Sequence, residues 1–502
     1  MKFSVSGLAT VALVASTVSA RGRSPQCTCV QLQCSALARN ENLKGKVYGQ
    51  DSAVYDARLK SYYSANAAQE PWCMVLPENT EDVSALAKII STLECPFGIR
   101  SGAHSAWKGS NGVKTGVTVD FGYMNATTYD TDSKVASIQP GANWGMVYTA
   151  LDPYGVTAVG GRASVVGVGG FITGGGYSFH TNLRGFSCDQ VTNYEIVLAD
   201  GSVVNANPYE NADLWKAQKG GSGNFGFVTR IDQRTVDSTQ MWGGFFTYNQ
   251  TERDNVFDAY INFAEHMDED LASQNIVALY YDKTGFTLRS ILSNVDAKAT
   301  APAFDQYFSI PNISTTAAVG KVSDLVPQFT GPTPLGLYAN WFSGQTAHDV
   351  RVLKFIDEKL KEYAPRMKAA APESDFNVLI QFQPVTHSMV KHAEQSGGNV
   401  LGLEEVVADG PTLMWLIALT VDTEVNQDIL LPYVLEFRAE IDTYAKDLGL
   451  FKEWKYTNYA WGDQNPLATH GYENFAFMNE IAEQYDPKGV FQNLRRTGFK
   501  LT

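Results

Sequence analysis

Between Pro71 and about Val236 the apolar positions of the chain switch repeatedly between helical and strand spacing. After Thr80, with Glu81 and Asp82 following, Val83, Leu86, Ile90 and Leu93 recur at intervals of three and four. That spacing predicts an amphipathic helix capped by Thr80 and stopped by Pro96. Val117 to Phe121 reads as a short strand. Trp144, Val147, Tyr148 and Leu151 mark a second helical face, ended by Asp152-Pro153. Glu195–Leu198 and Ser202–Val204 flank Asp200-Gly201, a hairpin signal. A helical stretch from Leu214 to Lys219 leads toward a strand over Phe227–Ile231. From about Met241 to Gly449 the texture changes to longer, aromatic-rich strands and more regular helices, which reads as a second domain. Near the end Phe475, Met478, Ala482 and Tyr485 share one helix side, with Asp486-Pro487 as the stop. The pattern holds no internal repeat and implies an α+β fold with sheets partly covered by helices.

Composition narrows the function. The chain has 502 residues, of which 44% are hydrophobic and 18% charged, enough apolar material for two or three structural units. Its formal net charge of −14 argues against nucleic acid and anionic membranes as partners. Residues 1–20 have the form of a secretory signal: Lys2, an apolar Val5–Val18, then Val18-Ser19-Ala20, with cleavage expected after Ala20. A secreted protein follows, and sequons at Asn125, Asn249 and Asn312 suit it. Export lets cysteines pair. The six are Cys27, Cys29, Cys34, Cys73, Cys95 and Cys188. Sequence does not choose among the pairings, and one bridge from Cys34 to Cys95 is expected. Cys27-Thr-Cys29 lacks zinc spacing.

Two glycine-dense segments carry the candidate chemistry: Arg100-Ser101-Gly102-Ala103-His104-Ser105, and Val166-Gly167-Val168-Gly169-Gly170 continuing to Gly174-Gly175-Gly176-Tyr177. Small residues let a backbone approach a ligand and free amide N–H groups for phosphate oxygens, although such clusters also build tight turns. Common motifs are missing. There is no Walker-type loop, no G-x-S-x-G elbow and no H-E-x-x-H. Gly221-Ser222-Gly223-Asn224-Phe225-Gly226 matches G-x-G-x-x-G, but it follows a helix and precedes a strand, the reverse of the dinucleotide-binding context, so a structural role is expected. His180, His387 and His392 form no ligand pattern.

These segments occur in order with the strand Val117–Phe121, Gly160-Gly161-Arg162, Cys188-Asp189-Gln190-Val191, Tyr456-Thr457-Asn458-Tyr459 and Tyr485-Asp486-Pro487-Lys488-Gly489-Val490-Phe491. The series resembles the berberine-bridge-enzyme-like FAD oxidases of the vanillyl-alcohol-oxidase superfamily, in a fungal form, over nearly all of the mature chain. The resemblance implies an α+β fold with a PCMH-type FAD-binding domain over 21–236 (core about 67–236). A separate α+β substrate domain over 237–449 precedes a C-terminal segment, 450–502, that completes the flavin site.

It implies further that His104 bonds to the 8α-methyl of FAD. Ala103 stands where the family has glycine. Ala163 stands where many relatives carry a second, cysteinyl link, so a single link is expected. The implied cofactor contacts are Arg100, Ser101, Gly102, Ala103, His104 and Ser105; Val166, Gly167, Gly169 and Gly170; Gly174, Gly175 and Tyr177; and Val228 and Asn458. Tyr459 takes the place of a catalytic base, with aromatic packing against the flavin as the other reading. Glu404 and Glu405 follow Gly397-Gly398, where other relatives place a catalytic glutamate, but strand alternation would turn them to opposite faces. The implied reaction is hydride transfer from a small alcohol, sugar or specialised metabolite to FAD, with reoxidation by O2 to hydrogen peroxide. A dehydrogenase using another acceptor and a non-catalytic flavin-fold binding protein are the rival readings. Oligomeric state is not legible.

Overall fold

The computed structural model describes residues 25–501, with side chains from Cys29 onward, so the expected signal peptide lies outside the described residues. Three sheets organise the fold. The first orders Val47–Gly49, Cys73–Val75, Val117–Asp120 and Phe97–Arg100, the last three parallel. The second is antiparallel, running Thr127–Asp130, Val135–Ile138, Phe227–Val236, Val191–Val197, Val203–Ala206, with Thr157–Ala158 attached. The third has nine antiparallel strands, built from the segment between Gln240 and Lys452. The result is the expected α+β fold.

The helix Thr80–Leu93 packs between the first two sheets, burying Val83, Leu86 and Ile90 with Phe97, Val117 and Val119. Its cap is Asn79, not Thr80: the Asn79 Oδ1 accepts from the Asp82 N–H at 2.9 Å, while the Thr80 hydroxyl donates to Glu195. It ends at Glu94, in the left-handed region, one residue before the Cys95-Pro96 pair. The Asp200-Gly201 hairpin forms, and the strand expected to stop at Ile231 continues to Val236.

The cysteines pair differently from expectation. Cys29 joins Cys95 and Cys34 joins Cys73, with Cα separations of 5.8 and 6.1 Å. The helix Pro25–Arg39 is the reason: five residues apart along it, Cys29 reaches the end of Thr80–Leu93 while Cys34 lies over the strand Cys73–Val75. Cys188 is free and buried.

The C-terminal segment returns to the first two sheets. Phe491 packs edge-on against Phe97 and Phe227, at 6.0 and 5.0 Å between ring centres. The Arg496 N–H donates to the Phe97 carbonyl at 2.7 Å. The buried Arg495 guanidinium donates to Asn224 Oδ1 at 2.6 Å and to the Phe499 carbonyl at 3.0 Å.

Candidate active site

A cavity of about 910 Å³ lies between the first two sheets and one face of the nine-stranded sheet. Its first wall is the loop after Phe97–Arg100. Arg100 itself points away. Its guanidinium pairs with buried Asp120 at 3.3 Å, lies 4.0 Å from the Tyr62 ring centre, and donates to the Arg58 carbonyl and Ser61 Oγ. This correction has a simple cause: a strand end anchors the loop, and the small residues after it face the cavity. Ser101, Gly102, Ala103, His104 and Ser105 all line it.

The two glycine segments are each other's partners. A Cβ on Gly102 would lie 2.3 Å from the Gly167 Cα, and one on Gly167 would lie 2.4 Å from the Gly102 Cα. Only backbone against backbone fits there. A Cβ on Gly169 would meet Ser101 Oγ at 2.9 Å, whereas Gly170 opens into the cavity with nothing within 4 Å. Gly174 and Gly175 do not line the cavity; they stand behind it. A Cβ on Gly174 would strike Asn458 Oδ1 at 2.1 Å, and Gly175 packs on Leu401 and Tyr456. Their smallness positions Asn458, which lines the cavity and donates to the Phe171 carbonyl and the Tyr456 hydroxyl at 3.0 Å each.

His104 faces this cavity with its ring stacked on Tyr63 at 4.0 Å and edge-on to Trp341 at 6.0 Å. Burial lowers its pKa to about 4, so the imidazole is neutral and keeps a nucleophilic nitrogen. Tyr459 packs against the same tryptophan, 5.3 Å from the Trp341 ring and 4.9 Å from that of Tyr456. Arg162 donates to the Tyr459 hydroxyl at 3.0 Å and to Gln383 Oε1, and lies 4.2 Å above the Tyr177 ring. Tyr177 is held by a 2.6 Å bond to the Pro384 carbonyl. Arg162 belongs to the Gly160-Gly161-Arg162 motif, whereas nothing in sequence spacing marks Tyr63, Trp341 or Gln383, because they meet His104 and Arg162 only through tertiary packing.

Two other expectations change. Ser222, Gly223 and Gly226 line the cavity beside Val228, so the G-x-G-x-x-G match, read as structural, forms part of its wall. Glu404 and Glu405 lie on the short helix Leu403–Val406, not a strand, and both are exposed. The preceding turn is tied back to the segments around Asp189 and Lys219: Asn399 donates to Asp189 at 2.9 Å, and the buried Lys219 to the Ser396 carbonyl at 2.6 Å. That turns the Gly397-Gly398 segment away from the chemistry. His180, His387 and His392 also lie off the cavity.

Residues 71–207 match the family model of an FAD binding domain. An FAD-dependent monooxygenase of Emericella nidulans is 33% identical over 482 residues, 94% of this chain and 99% of the relative. The chain belongs to the FAD-dependent oxidoreductases. Its fold is that of the berberine-bridge-enzyme-like family. The crystal structure of 6-hydroxy-D-nicotine oxidase from Arthrobacter nicotinovorans is similar with a TM-score of 0.76 at 18% identity, covering 93% of this chain and 99% of that one. Glucooligosaccharide oxidase from Acremonium strictum gives 0.73 at 18% identity, covering 94% and 99%, and its FAD is described as 6-S-cysteinyl and 8α-N1-histidyl. The cavity fits FAD on its own terms. It has the volume for a large ligand and a glycine cradle only backbone can form. Trp107 Nε1 and Asn111 Oδ1, from two residues of its wall, are buried without a protein partner.

Proposed function

We propose that the protein is a secreted oxidase carrying FAD on a single histidyl link at His104 and oxidising a small metabolite at Tyr459. The observation that carries the reading is that a ring-stacked His104 and an arginine-bonded Tyr459 both pack against Trp341 in the lining of one cavity. Ala163, on the same wall, holds no sulfur for a second link. The two disulfides support export, since such bridges persist in oxidising compartments.

Bound there, FAD supplies the two-electron acceptor, and O2 takes the electrons on to hydrogen peroxide. The residues do the rest. Ser101–Ser105 and Val166–Gly170 cradle the cofactor, and Asn458 is braced against its own wall. Tyr459, as its phenolate, would take the substrate proton. The Arg162 N–H, already aimed at the phenolic oxygen, would stabilise the negative charge held there before the proton arrives, and Gln383 keeps the guanidinium in place.

The deciding experiment is acid precipitation of the expressed protein. Yellow flavin remaining with the pellet, and moving to the supernatant in His104→Ala, is the expected result. Free flavin from the unaltered protein would sink the linkage. With a turnover substrate, Tyr459→Phe should lower kcat about a hundredfold or more; unchanged kcat would leave that ring a packing role. The relatives' names favour one second reading, a monooxygenase. Under 18O2, an oxidase gives one peroxide per product and no label in the product, whereas a monooxygenase incorporates it.

A further inference from the structure

We propose that the substrate has a flat apolar body bearing a carboxylate, and that Arg289 reads the carboxylate. This rests on the reading of Tyr459 as the oxidation end of the cavity.

The far wall is the inner face of the nine-stranded sheet. Strand register sets Ile291 beside Ile276 on one side and Phe245 on the other, and these pack with Ala278, Phe329 and Leu379. This patch suits flat hydrocarbon and offers no hydrogen-bonding side chain of its own, while Tyr280, Asn377, Gln381 and Thr420 of the same sheet bring polar groups to the cavity around it. Amid it stands Arg289, paired in register with Ala278 and Thr247 and 5.6 Å from the Phe245 ring centre.

Charge makes the placement informative. Aspartate and glutamate outnumber lysine and arginine by 53 to 39 in the chain, yet none of the cavity-lining residues is acidic. Three lining residues are arginines: Arg162, Arg289 and Arg495. Arg162 is committed to Tyr459 and Gln383, and Arg495 to Asn224 and a main-chain carbonyl. Seven other arginines form ion pairs with acids, Arg58 and Arg100 among them. Arg289 forms none among the described residues; Asp375, the acid across the sheet near Tyr280, pairs with Lys283 instead. Arg289 is exposed, so its guanidinium, without an acid partner and beside an apolar patch, is open to a planar anion, which it would bind with two parallel N–H donors.

Register places Arg289 near the oxidation end. Gln383, which accepts from Arg162, donates to Gln381 at 3.2 Å, and Gln381 pairs with Ala278, which pairs with Arg289. Arg289 therefore lies two strands from Gln381, about 10 Å across the sheet.

Isothermal titration calorimetry on the full-length holoprotein tests this with 2-naphthoate and its neutral isostere 2-naphthamide. The acid should bind about tenfold or more tightly than the amide. Raised salt should erode that preference, Arg289→Gln should abolish it, and Arg289→Lys should restore part of it. Melting temperature and flavin-to-protein ratio should be unchanged in both variants. Equal affinities in the unaltered protein, no binding of either probe, or a preference that survives Arg289→Gln would each overturn the proposal. Acid-stable flavin is scored on the same samples. Its loss would count against the His104 linkage alone, because the calorimetric ratio does not depend on how the flavin is attached.

Discussion

At Ala103 the backbone sits at φ +54°, in the left-handed region where a Cβ crowds the following carbonyl. The residue is buried next to His104, so the strain is held where the candidate linkage forms. Ala103→Gly removes about 1 kcal/mol of strain and gives back some of it as greater freedom of the unfolded chain. We expect a melting temperature equal to or slightly above that of the unaltered protein, with flavin still bound; a clear fall would show that the methyl packs favourably. Gly102→Ala is the opposite case. Its Cβ would enter the space of the Gly167 backbone, so the loops must part, and flavin content should drop sharply in refolded protein. Spacing alone exposed both glycine segments. It could not reveal that they touch each other, because that contact joins residues far apart in sequence.

Among the elements, the helices with clear apolar periodicity formed where their pattern placed them, and the misplaced details lie at their ends. Thr80 and Asn79 are both competent caps, and the choice between them followed from Glu195, which takes the Thr80 hydroxyl. The stretch holding Glu404 and Glu405 is too short for period to distinguish helix from strand. Disulfide pairing likewise depended on which face of Pro25–Arg39 meets the first sheet. The bridges close sequence separations of 66 and 39 residues. Replacing either pair with serines should cost about 2–5 kcal/mol in denaturant unfolding, the longer loop costing slightly more. Neither bridge contacts the cavity, so flavin binding at moderate temperature should persist.

For the whole molecule, pH sensitivity follows from histidines folded into the interior. His180 and His470 are both almost fully buried, and burial lowers each pKa to about 4 from the usual 6.5. The unfolded chain then binds more protons than the folded one between those values. Each histidine's penalty is absent above about pH 6.5 and grows as pH falls toward 4. Buried Asp189 works the other way. Burial raises its pKa to about 6, so the folded state holds a proton between that pH and the usual carboxyl value, offsetting part of the loss. Burial lowers His104, His348 and His392 in the same sense and raises Asp442 and Asp486 as it does Asp189; with the histidines in the majority, the melting temperature should fall from pH 7 to pH 4.5. His180→Gln should flatten the slope even if it lowers the starting value. A flat profile in the unaltered protein would contradict the burial of these rings.

The amino-acid sequence by itself determined the α+β class, the positions of the main helices and the hairpin, and, through a series of ordered motifs, the FAD-dependent family. Those features are local, set by period, turn chemistry and contiguous motif, and a linear reading has access to them. Tertiary structure alone decided the rest. It turned Arg100 away from the cavity and placed Gly174 and Gly175 behind Asn458. It brought Arg162 to Tyr459 from the last segment, and left Arg289 without an acid beside an apolar patch. Each of these depends on the direction of a side chain across an interface, and that direction is fixed only when distant segments compete for the same space.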